Sequence, residues 1–111
     1  VERSIFMKFR SLFLALAPDA EMEKHRKKIE TGKYILYINL AQDQQEALDL
    51  AKNYVKDKGI HSMILCPGFD HEDVAEISDT VGKEVGVTVA RGDGPSDQIS
   101  TEAMEDAGWF D

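Results

Sequence analysis

Cysteine is almost absent. Cys66 stands alone among 111 residues, so no internal disulfide can form, and the expected setting is cytoplasmic rather than that of a disulfide-stapled secreted domain. Long apolar runs are missing too. Residues 11–17 fall far short of the roughly 20 that span a bilayer, and Pro18-Asp19 behind them offers no small-residue cleavage pattern, so neither a membrane segment nor a signal peptide is expected. Positive charge is scarce: 13 Lys and Arg against 21 Asp and Glu leave a net charge of −8. That balance argues against nucleic acid as a partner, because phosphates need a basic surface.

Several chemical signatures are lacking as well. His25, His61 and His71 are too widely spaced for a metal motif. There is no Walker A loop and no GxGxxG, so no metal or cofactor is expected, and no Ser-His-Asp order is readable. Internal repeats, low-complexity tracts and linkers are also missing, which leaves a single domain over residues 1–111. Met7-Lys8-Phe9 resembles a natural start, so residues 1–6 are expected to be an upstream extension.

What is present alternates. Apolar runs over residues 9–17, 34–40, 60–65 and 87–90 read as strands. The second is apolar on both faces, which predicts cover on both sides. Between them lie helical patterns. Asp43, with Glu46 three residues on, opens a helix with Ala47, Leu48, Ala51, Tyr54 and Val55 on one stripe, stopped by Gly59. Asp70 and Asp73 open another through Val74, Ile77, Val81 and Val85, ended at Gly86. A last helix starts at Ser96 or Asp97, with Ile99, Ala103 and Ala107 on one face. Residues 21–29 have good helix formers but only Met22 and Ile29 as apolar points, so they predict a short surface helix or a loop with one turn. The sum is an α/β fold: a small, four-stranded, mainly parallel sheet with helices on both faces, flavodoxin- or Rossmann-like, in order 2-1-3-4. A ferredoxin-like alternative needs a β-hairpin, and none is visible.

Ligands of parallel sheets bind beyond the carboxyl ends of the strands. That rim should gather Cys66, Gly68, Phe69, His71, Arg91, Gly92 and Gly94. Cys66 is a candidate nucleophile with His71, His25 or Arg91 as activator, or else a structural thiol. The acids Asp70, Glu72 and Asp73 make the helix behind Cys66 a poor phosphate cradle. Arg91-Gly92-Asp93-Gly94 is the better anion site, since arginine can grip a carboxylate or phosphate bidentately; the plainer reading is a turn with Asp93 pairing Arg91. Residues 24–28, with His25 and Arg26 among them, are the one dense basic cluster, either an anion-docking patch or a solvated helix face. Trp109 and Phe110 either dock on their own sheet or enter a neighbouring subunit, which would make the protein a homo-oligomer.

Lys24-His25-Arg26, Ile29-Glu30-Thr31, the capped helix from Asp43 and Leu65-Cys66-Pro67-Gly68-Phe69 together resemble a family of small bacterial and archaeal α/β proteins of unknown function, over most of residues 9–99. Where members carry Cys-Gly-Gly-Phe, this chain has Cys-Pro-Gly-Phe. Pro67 removes an N–H there, which weakens any role of that amide in binding. The resemblance implies a fold and a pocket but no reaction. The functional expectation is therefore binding of a small anionic metabolite at the carboxyl rim, by Arg91, Gly92, Gly94, Cys66, Gly68 and Phe69, with His25 and Arg26 closing the site. The alternatives are a small enzyme using Cys66 or His25, and an assembly or regulatory protein.

Overall fold

In the computed structural model, which describes residues 7–92 and 94–111, the chain forms a mixed five-stranded sheet and three α-helices. The elements run β1 (Phe9–Leu16), β2 (Arg26–Glu30), β3 (Tyr34–Ala41), α1 (Gln44–Asn53), β4 (Ser62–Leu65), α2 (His71–Val81), β5 (Gly86–Val89) and α3 (Gly94–Asp106). The sheet order is β2-β3-β1-β4-β5. Its four parallel strands stand in the order expected, and β2 pairs antiparallel with β3 at one edge. No helix of the described residues is long and apolar enough to cross a membrane.

Over residues 21–29, where a short helix or a loop with one turn is expected, the one turn forms but β2 replaces the rest. Helix closes only one turn there: Lys24 and His25 N–H donate to the Glu21 carbonyl at 2.9 and 2.8 Å, and the Glu21 N–H donates to His25 Nδ1 at 3.0 Å. The chain then extends. Thr31 Oγ1 accepts from the N–H groups of Lys33 and Tyr34 at 3.2 and 3.0 Å and folds a turn that lays β2 along β3. So the fold does contain a β-hairpin. Without β2, β3 would be a long apolar edge, and covering that edge outweighs the weak helical preference of Lys, Arg and Glu.

The helices begin where their caps predict. Asp43 accepts from Glu46 N–H at 2.9 Å, and Asp70 and Asp73 form a reciprocal capping box with bonds of 2.8 and 3.2 Å. α1 continues into a π-helical turn, Tyr54–Lys58, which Gly59 ends in the left-handed region at φ 62°. α2 stops at Val81, with Gly82 at φ 86°. That is a turn short of the expected stop at Gly86, and Val85 is a buried loop residue instead.

One face of the sheet carries the core. The register sets Leu12 beside Tyr37 and Met63, and Leu14 beside Asn39 and Leu65. Against these pack Ala47, Leu48, Ala51, Tyr54 and Ile77 from the helical side. α1 and α2 contact each other and share this face, so the expected helices on both faces, and cover on both sides of β3, are not found. The connections explain why. The crossovers from β3 to β4 and from β4 to β5 step in one direction, and right-handed crossovers in one direction put their helices on one side. Only the β1-to-β3 connection steps the other way, and the chain uses it for β2. The opposite face, with Phe13, Ala15, Leu36, Ile38, Leu40 and Ile64, is only half-buried. Among the described residues α3 packs closely on no other element.

Candidate functional site

The carboxyl ends of the parallel strands align as the register requires, and they bring part of the expected site together. Cys66 lies at the end of β4 beside the end of β1, where its half-buried Sγ accepts the Leu16 N–H at 3.4 Å. Gly68 covers it so closely that an added Cβ would sit 3.4 Å from that sulfur and 3.6 Å from Leu16 Cδ1. Gly92 lies against the same loop, with an ideal Cβ 3.5 Å from Pro67 Cβ and 2.6 Å from Asp97 Oδ1. Arg91 beside it is exposed. Asp93, its expected partner, lies outside the described residues, as do residues 1–6; Gly94 opens α3.

Other members of the expected set lie elsewhere. Phe69 is 4 % exposed and packs in the core, so it holds the loop down rather than lining a rim. His71 is the exposed first residue of α2. His25 and Arg26 stand at the opposite edge from Arg91, since β2 and β5 are four strand intervals apart, a span of about 19 Å. His25 Nδ1 is already an acceptor for Glu21 N–H, and it lies three intervals from Cys66, about 14 Å, so it is no base for that thiol. His61 is structural: its Nδ1 accepts the Arg10 N–H at 3.0 Å, and its ring stacks on Phe9 at 5.8 Å. Trp109 and Phe110 are 36 % and 61 % exposed.

Arg26 instead opens onto a cleft of about 260 Å³ between β2 and the end of α1. Its wall is a hydrogen-bonded pair. Asn39 is completely buried; its Nδ2 donates to the carbonyls of Met22 and Leu40 at 2.9 and 3.0 Å, and its Oδ1 accepts from the Tyr54 hydroxyl at 2.7 Å. Leu50 and Met22 supply apolar surface, and Glu23, Asn53, Asp57 and Lys58 ring the mouth. Tyr54, Asp57 and Lys58 lie in the π turn. Such turns recur at functional sites because the extra residue re-aims side chains. A second depression of about 360 Å³ adjoins the first through Met22 and Glu23 and is bordered by Glu21, Lys24 and Glu46.

Sequence reasoning named Arg26 but not Asn39, and it placed Tyr54 only on a core stripe. The available signal is the single amide inside the apolar run Tyr34–Ala41. A polar side chain there must find partners on folding.

Burial raises the Tyr54 hydroxyl above its ordinary pKa of 10.0; the Arg26 charge opposes that shift and neighbouring Tyr37 adds to it. At physiological pH the hydroxyl is therefore neutral and keeps its proton for the bond to Asn39 Oδ1. For stability the sign follows directly: the unfolded chain loses this proton first, so the contribution is whole below 10.0 and declines as pH rises past it. Tyr54→Phe should flatten that alkaline decline in urea-unfolding midpoints. An unchanged decline would mean that another group causes it.

Comparison with known proteins adds little to this geometry. Residues 9–105 match a protein family described as one of unknown function. No curated protein and no solved structure matches the chain.

Proposed function

The chain belongs to that family, DUF6506, and because the family has no assigned reaction we propose, from the chain's own surface, that it binds a small anionic metabolite in the cleft beside β2, with Arg26 as the anchor. The observation that carries this reading is the guanidinium itself. Arg26 has no ion-pair partner among the described residues and borders a cleft with an apolar floor and a hydrogen-bonded wall. A planar guanidinium matches a carboxylate by two parallel bonds. Lys58 adds a second cation, but Glu23 and Asp57 share the mouth. Two acids beside two bases favour a ligand with one negative charge and disfavour a multiply charged phosphate. The cleft's volume, at the small end for ligand pockets, suits a small carboxylate better than a nucleotide.

A second reading keeps the ligand at the rim near Cys66 and Arg91. It is favoured by the approach of Gly92 to Pro67, which joins the two loops. One experiment separates the two. Calorimetric titration with a panel of small carboxylates and inorganic phosphate should find a carboxylate whose affinity falls at least about 10-fold, or ~1.4 kcal/mol, in Arg26→Ala and is unchanged in Arg91→Ala. The reverse pattern would move the site to the rim. Equal binding in both variants would remove both anchors.

A further inference from the structure

The half-buried face of the sheet has no occupant within its own chain. A parallel sheet in an α/β fold is normally covered on both sides, and here the uncovered side is continuous from β2 to β4. Ile29 pairs with Leu36 and Lys27 with Ile38, so both project on the same side as Phe13 and Ile64. Ile29 is 54 % exposed, and Phe9, on the same face, 51 %. A contiguous apolar surface of this kind often marks an interaction site.

The chain also holds a segment suited to cover it. Among the described residues α3 packs closely on no other element, and Ile99 and Ala103 recur at an interval of four along it, with Ala107 just past its end and Ile99 68 % exposed. From Gly92 to Asp111 there are six acids and no lysine or arginine, while residues 24–28 are a continuous basic run at the far edge. The two charged zones adjoin opposite edge strands, β2 and β5, and no ion pair joins them among the described residues.

We infer that the open face is the interface between two copies of this chain, stacked face to face about a two-fold axis parallel to the strands, with α3 of each copy reaching the β2 edge of the other. An axis in this direction exchanges the two edges and brings acid onto base. An axis across the strands would set each edge on its own twin. β1 is the central strand, so Phe13 and Ala15 meet their counterparts at the axis. Lys27, rather than Arg26, is the cation that faces the other copy, and the cleft stays open on the helix-covered side.

The area is adequate. The strands hold 29 residues, from lengths of 8, 5, 8, 4 and 4. At about 3.3 Å per residue and about 4.8 Å between strands they present roughly 450 Å². One flank of α3 adds roughly 200 Å². Together these approach the ~800 Å² per partner of a standard interface.

Light scattering of the full chain should give twice its 12.4 kDa mass. Ile38→Asp, near the axis, should give the mass of one chain. Ile29→Asp alters a side chain already more than half exposed, so it should keep its circular dichroism while raising the dimer dissociation constant at least ~10-fold. Lys27→Glu should also raise it, and adding Glu102→Lys should restore it in part. A wild-type mass of 12.4 kDa at the highest attainable concentration overturns the inference. So does a dimer indifferent to both isoleucine changes, and a dissociation constant indifferent to Lys27→Glu overturns the axis.

Discussion

Asn39→Leu is expected to lower stability by about 2–4 kcal/mol, although leucine is close in volume and fully apolar. Asn39 makes three hydrogen bonds from a position with no exposure, to Met22 and Leu40 carbonyls and from the Tyr54 hydroxyl. Removing the amide strands the Tyr54 hydroxyl and the Met22 carbonyl, and stranding a buried polar group costs more than losing the average bond. The diagnostic result is a double-mutant cycle. Tyr54→Phe alone should cost about 1–2 kcal/mol, and Asn39→Leu with Tyr54→Phe should cost less than the sum, because both ends of that bond are then apolar. Strictly additive losses in urea unfolding, or a single-variant loss under about 0.5 kcal/mol, would mean that Asn39 does not organise this corner.

The second large effect is expected on the opposite flank. Ile77→Ala should cost about 2–4 kcal/mol, in the range of buried large-to-small changes. Ile77 is the one fully buried side chain of α2, with Val74 and Val81 only half-buried around it. Hydrogen bonds from the Gln44 amide also tie α2 to α1: it donates to the Asp73 carbonyl at 3.1 Å and to Glu76 Oε1 at 3.0 Å. With total stability of a domain near 5–15 kcal/mol, such a loss should free α2 first. Amide exchange should therefore rise more in α2 than in β1 or β3. A uniform rise across the sheet would show that α2 is not a separable unit.

The parts of this fold that were legible share a local cause. Asp43 and Asp70 cap helices with atoms three residues away, and the apolar periods of α1 and of the parallel strands are internal to each segment. β2 had no local signal, because Arg26-Lys27-Lys28 becomes strand only through pairing with β3, a contact that depends on β3 being an edge. The apolar residues on both faces of Tyr34–Ala41 were legible as pattern, but pattern does not say whether cover comes from the same chain. The rim was legible as topology, which places Cys66 near Gly92. It did not reveal that Gly68 lies in contact range of the Cys66 sulfur and of Leu16. His25 and Arg26 were legible as chemistry but not as position, since their placement follows from the unforeseen strand.

That strand also bears on solubility. β2 is outermost, every one of its residues is exposed, and three in a row are cationic. An outer strand offers a row of N–H and C=O groups to any extended chain that meets it, and lysines there repel the approach. Two such edges brought together in parallel register would set Arg26, Lys27 and Lys28 each against its own copy. The basic run thus works as a guard against end-to-end zippering into fibrils. Replacing Lys27 and Lys28 by threonine would leave the fold its hydrogen bonds and remove the guard.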